Sequence, residues 1–161
     1  MVHTEGFSLH PDLIAKLGEL EALAAAEAMT FVVTSGARGF RKQALLYVTF
    51  KRSPQEARDK YGVVSKPAPM GLTRHHPYFN GCCAAVDLGL PHVEPGNKWH
   101  AQQRLGELAE SIGLLWGGRW ATPDRVHFEL TTVGGKPPST DEEYLKLGGQ
   151  LDRIAGYAET T

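Results

Sequence analysis

Two histidine-bearing segments and several acids are spaced along this chain so that they could share one metal ion. The densest stretch, residues 114–130, reads LLWGGRWATPDRVHFEL and holds two tryptophans, a Gly-Gly pair, two acids and a histidine. Residues 126–130 are β-branched and aromatic in composition, which predicts a strand. Alternation then puts His127 and Glu129 on one face and Val126, Phe128 and Leu130 on the other. The polar pair is expected to face away from the core. Pro123 keeps the chain in a loop at Asp124, so the carboxylate there can turn back toward His127. Upstream, Thr73-Arg74-His75-His76 is followed after a loop by Ala84-Ala85-Val86-Asp87-Leu88. Imidazole and carboxylate both bind zinc, and three protein ligands with one open position is what a hydrolytic zinc centre requires. One of His75 and His76, with Asp87 and His127, would supply that set. A lone histidine on a strand is more often a surface residue; the second polar cluster is what changes the balance. Neither H-E-x-x-H nor a paired Cys-x-x-Cys motif is present, so spacing by itself does not name the enzyme class.

These groups need elements to carry them. Residues 8–28 place Leu13, Ile14, Leu17, Leu20 and Ala24 at helical spacing, with Ser8 or Asp12 as cap and Pro11 in the first turn, which predicts an amphipathic packing helix. Residues 31–35 read as a short buried strand ended by Gly36. A buried helix is expected over 41–50, with Arg41, Lys42, Lys51 and Arg52 as an exposed face. Ser53 and Glu56 have capping-box spacing for a second helix to Tyr61. Pro67, Pro69 and Gly71 make 66–72 a loop. Ala101, Leu105, Leu108, Ala109 and Ile112 define another helix closed by Gly113, and Thr140 with Glu143 caps a last one striped by Tyr144, Leu147, Leu151 and Ile154. With no internal repeat, strands and helices alternate irregularly, predicting one α+β domain over residues 1–161.

Composition removes several function classes. Net charge is −1 and no Lys/Arg run exceeds two residues, so there is no footprint for a phosphate backbone and nucleic acid is not an expected partner. No stretch approaches the roughly 18 apolar residues of a membrane span, and no basic segment leads into an apolar run at the start. The chain is expected to be cytoplasmic as made. Cys82 and Cys83 are adjacent and would point apart in an extended chain, which excludes a disulfide framework. Cys83 shares a strand face with Asp87, so a thiolate ligand is conceivable; a small buried residue is its simpler role.

Thr-x-His, Ala-Val-Asp, Trp-Gly-Gly-x-Trp and Asp-x-x-His-Phe-Glu together resemble the zinc peptidases that include D-alanyl-D-alanine carboxypeptidases and the L-alanyl-D-glutamate endopeptidases of phage endolysins. The family pattern is Ser-x-His-x-x-Gly-x-Ala-x-Asp, then Trp-Gly-Gly-x-Trp and an acid before x-x-His-Phe-Glu. Trp116, Gly117, Gly118, Trp120, Asp124, His127, Phe128 and Glu129 match its second half position for position. The first half departs from it: His75 and Asp87 lie further apart than the family's His and Asp, so a longer loop must be accommodated. The resemblance implies a small antiparallel sheet flanked by helices, the fold shared with the hedgehog signalling domain. It implies zinc held by His75, Asp87 and His127, with Asp124 as the base and Glu129 as its competitor. His75 is preferred to His76 because Thr73-Arg74-His75 reproduces the Ser-x-His offset and Pro77 restricts His76. Ser35-Gly36-Ala37-Arg38 and Gln43 resemble the family's Ser-Gly-x-Arg and following Gln, which puts Arg38 and Gln43 at the cleft, Arg38 stabilising charge; without the other motifs Arg38 would be a solvated strand-end residue. Thr73 is expected beside the cleft, and Trp116 and Trp120 are expected to wall it and pack the Gly-Gly turn rather than touch the scissile bond. The implied substrate is the peptidoglycan stem peptide, cut by a monomer, with the L-Ala–D-Glu bond favoured by the Asp in Asp-x-x-His. Rival expectations are a D-alanyl-D-alanine carboxypeptidase and a non-catalytic zinc-bearing binding module.

Overall fold

His10, Pro11 and Asp12 start the first helix. Pro11 occupies the opening position, where a missing N–H costs nothing, and the His10 ring accepts a bond from the Asp12 N–H at 3.2 Å. The cap is therefore His10, not Ser8 or Asp12, and α1 runs Pro11–Ala26. The computed structural model describes residues 1–37, 46–47, 49–63, 75 and 82–131. The remaining described strands and α-helices include β1 (Val32–Ser35), α2 (Pro54–Tyr61), β2 (Ala85–Gly89), α3 (Lys98–Ser111), β3 (Leu115–Trp116) and β4 (His127–Glu129). Residues 46–47 and 49–52 are helical, in line with part of the helix expected there. Ser53 caps α2 through its hydroxyl, which accepts from the Glu56 N–H at 3.1 Å, and Gly62 closes it in the left-handed region. The expected terminal helix lies outside the described residues.

The four strands form one antiparallel sheet in the order β1-β2-β4-β3. This is the α+β class that the sequence predicts, with the small antiparallel sheet flanked by helices that the resemblance implies. One sheet face supplies Val33, Val86, Leu88, Trp116 and Phe128 to the core, against Leu13, Leu17, Leu20 and Ala24 of α1 and Leu105, Leu108 and Ala109 of α3. Ile14, counted in the helical stripe by spacing, is instead 40% exposed. β1 is an edge strand and is less buried than expected, with Val32 and Thr34 open. Among the described residues no helix is long and apolar enough to cross a membrane.

Alternation along β2 and β4 decides which side chains meet on the opposite face. Val86 and Leu88 turn into the core, so Asp87 turns away, and the same parity in β4 separates Phe128 from His127 and Glu129. Asp87 and His127 are register partners. The neighbouring ladder bonds, Leu88 N–H to Val126 O and Leu130 N–H to Ala84 O, make them a non-hydrogen-bonded pair, the kind whose side chains stand closer.

Candidate metal centre

His75 reaches this face from outside the sheet. Its Nδ1–H donates to the Gly36 carbonyl at 2.8 Å, and the ring is almost fully buried. A carbonyl can only accept, so the proton is fixed on Nδ1 and the Nε2 lone pair is left facing Asp87 and His127. His127 is held in the complementary sense: its Nε2–H donates to Glu129 Oε2 at 3.0 Å, which frees Nδ1. The two inward-facing nitrogens lie 3.2 Å apart, and Asp87 Oδ1 is 3.2 Å from His75 Nε2 and 3.6 Å from His127 Nδ1. All three ligand atoms fall within 4.8 Å of one another.

Two lone pairs and a carboxylate oxygen at these distances repel unless a cation stands among them. Without a metal the cation is a proton. Burial disfavours a charged His127, but its bonds to Asp87 and Glu129 outweigh that and raise its pKa to about 9. With a metal, two nitrogens and one oxygen are a donor set that suits zinc. Glu129 is the partner outside the coordination set that orients a ligating histidine and fixes its tautomer.

The proton and the metal compete, which gives a pH signature. A histidine whose folded pKa is raised stabilises the fold fully below its unfolded value of about 6.5, and that contribution is lost as pH rises through about 9. Chelator-treated protein is therefore expected to melt at a lower temperature at pH 9.5 than at pH 6, with the drop reduced in His127→Gln. Added zinc should raise the melting temperature more at pH 9.5, where no proton opposes it. A flat or rising melting temperature in the chelated protein over this window would show that no proton is held there.

The other expected residues fall into place unevenly. Asp124 is linked to His127 by a turn, His127 N–H to Asp124 O at 3.3 Å, and its own N–H donates to Gly117 O at 2.9 Å. A side chain on Gly117 would collide with the Asp124 carbonyl and crowd His127, so glycine there lets the loop close onto the site. Asp124 Oδ1 is buried with no hydrogen-bond partner among the described residues. Trp120 lies against the His127 ring, centroids 4.9 Å apart, and is 40% exposed, a position that can line a cleft. Trp116 packs against Gly118 of the Gly-Gly turn as expected, but not as a cleft wall: it is a core residue, 4% exposed, packed also over Gly106, with Nε1–H donating to Arg125 O at 2.9 Å. Cys83 is buried and its thiol faces the Ala85 carbonyl, outside the ligand set. Arg38, Gln43, Thr73 and His76 lie outside the described residues.

Sequence reasoning missed the Gly36 carbonyl, the Glu129 bond to His127 and the contact of Trp120 with His127. The second was open to it, because alternation already puts Glu129 beside His127. The first had no local signal: Gly36 is required because any side chain there would meet the Phe7 backbone, a contact distant in sequence.

Residues 74–130 match the family model described as D-alanyl-D-alanine carboxypeptidase. The chain is 26% identical over 134 residues to the peptidoglycan L-alanyl-D-glutamate endopeptidase CwlK of Bacillus subtilis (strain 168), a match covering 76% of this chain and 73% of that protein. Among solved structures it is similar to the L-Ala D-Glu endopeptidase ChiX of Serratia marcescens, with TM-score 0.50, 22% identity, and 81% of this chain and 90% of that one covered. It is also similar to a zinc-bound vancomycin-resistance D,D-pentapeptidase VanY of a VanB-type cassette, with TM-score 0.56, 16% identity, and 96% and 87% covered. The two structural likenesses speak for the fold. Taken with the His75–Asp87–His127 set, the matches bear out the resemblance read from the sequence, the zinc cofactor and the metallopeptidase class.

Proposed function

We propose that this chain, a zinc metallopeptidase by its ligand set and its similarities, hydrolyses the peptidoglycan stem peptide at the bond between L-Ala and D-Glu. It would do so as a single catalytic domain, in the manner of a phage endolysin. The observation that carries the reading is the convergence of His75, Asp87 and His127, with an acid, Asp124, joined to His127 by a turn, whose buried Oδ1 has no partner among the described residues. Such an oxygen costs about 1–3 kcal/mol if left unsatisfied, a cost that is understandable where the group must accept a proton during turnover.

Zinc held by the three ligands supplies the Lewis acidity that makes water a nucleophile near neutral pH and draws charge from a carbonyl. Asp124 takes the proton from the attacking water as the new C–O bond forms. It then delivers that proton to the amide nitrogen as the C–N bond breaks, so the acid ends as it began. His75 and His127 stay fixed throughout, because Gly36 and Glu129 hold their outer nitrogens. Trp120 walls one side and excludes water from the face of His127. By resemblance, Arg38 assists with developing charge while Gln43 and Thr73 contact the peptide.

Similarity to both endopeptidase and D,D-peptidase relatives keeps a carboxypeptidase as the second reading. Digestion of purified peptidoglycan with mass spectrometry of the products separates them. New N-terminal D-Glu is the expected result. Released D-Ala would make the protein a carboxypeptidase, and a wall left intact by zinc-loaded protein would leave only the binding-module alternative.

A further inference from the structure

Arg125 is bonded directly to Asp124 in the turn that enters β4, and its guanidinium lies over the ring of Trp99, 5.6 Å from the centroid. Trp99 stands in the first turn of α3 with 47% of its surface exposed, and His100 meets it edge-on at 5.0 Å. Arg52, Arg104 and Arg119 each pair with a carboxylate. Arg125 is exposed and has no carboxylate partner among the described residues. Its backbone is anchored on both sides, Arg125 O accepting from Trp116 Nε1–H and Val126 O from the Leu88 N–H. A cation with no counter-ion among the described residues, on a fixed backbone and steadied by an aromatic face, follows directly in the chain the residue assigned to proton transfer. A guanidinium attracted to an indole face keeps its in-plane N–H donors free, and those donors match the two oxygens of a carboxylate.

We propose that Arg125, steadied by Trp99, binds the free α-carboxylate of the D-glutamate residue at the cleaved bond. The inference rests on the proposed function. In the stem peptide D-Glu continues through its side-chain carboxyl, so its α-carboxylate stays ionised on the carbon that bears the scissile nitrogen. Asp124 protonates that nitrogen, and the next residue in the chain supplies the matching charge. Trp99 is a positioning residue here, since it acts through Arg125.

Binding is measured first, with zinc-loaded full-length protein, γ-D-glutamyl-L-lysine and its α-amide, following the indole N–H signal of Trp99 assigned from Trp99→Phe. The acid should move that signal and bind about tenfold more tightly than the amide, the increment of a charge-assisted bidentate contact at an exposed site. Arg125→Ala should bind acid and amide alike, and Arg125→Lys should recover part of the preference. Equal binding of acid and amide by the unaltered protein, or a preference that survives Arg125→Ala, overturns the proposal. Hydrolysis of L-alanyl-γ-D-glutamyl-L-lysine is measured alongside. Cleavage with no difference between acid and amide removes the Arg125 site and leaves the proposed function standing. Absence of cleavage with an Arg125-dependent preference for the acid removes the proposed function and supports the carboxylate site.

Discussion

His75→Ala is expected to lose zinc on dialysis and to fall in hydrolysis by about a thousandfold or more, while His76→Ala keeps both. The first change removes Nε2, one of only three ligand atoms in the set, and leaves Asp87 and His127 as a two-donor site. Catalytic zinc is held by three protein ligands, and the charge stabilisation it provides is worth several kcal/mol, each 1.4 of which is about tenfold in rate. The same substitution leaves the Gly36 carbonyl without its partner, at a cost of about 1–3 kcal/mol, so circular dichroism must accompany the metal analysis. His76→Ala is the internal control, since it is His75 whose Nε2 faces Asp87 and His127. Zinc retained in His75→Ala and lost in His76→Ala would make His76 the first ligand and overturn the expectation, drawn from the resemblance, that Thr73 lies at the cleft.

The faces of β2 and β4 and the ligands they carry were legible in the sequence for one shared physical reason. A period of two fixes which side chains share a face, and Val86, Leu88 and Phe128 are apolar enough to say which face is the core. Once they are inside, Asp87 and His127 must be on the other side, and their pairing needs only the register. Features that depend on contacts between distant segments were not legible. Trp116 looked like Trp120 in the motif, yet Gly106 on α3 makes the slot that buries one of them, and nothing near Trp116 announces a glycine on another element. The polar face of β4 was also misjudged in degree. It does face away from the helices, but His75 and Trp120 cover it, leaving His127 only 6% exposed.

Asp124→Asn is expected to keep its zinc and its fold while kcat falls by about 10²–10⁴-fold, the usual contribution of a positioned proton-transfer group. An amide of the same shape cannot take the proton of the attacking water, so the loss falls on the chemical step. Stability should not suffer. Asp124 Oδ1 makes no hydrogen bond among the described residues, so the substitution breaks no contact there and exchanges a charged oxygen for a neutral polar atom that is cheaper to bury, and the melting temperature should match or exceed that of the unaltered protein. Glu129 is the control, because both acids belong to the same motif. Its carboxylate is engaged by His127 Nε2–H, so Glu129→Gln keeps an acceptor but loses the charge behind the ligand. Zinc affinity should then fall about 10–100-fold, with kcat largely restored at saturating zinc. The decisive comparison is made at saturating zinc. If Glu129→Gln stays inactive there while Asp124→Asn turns over normally, the base is Glu129, and the bond it makes to His127 must open during each cycle.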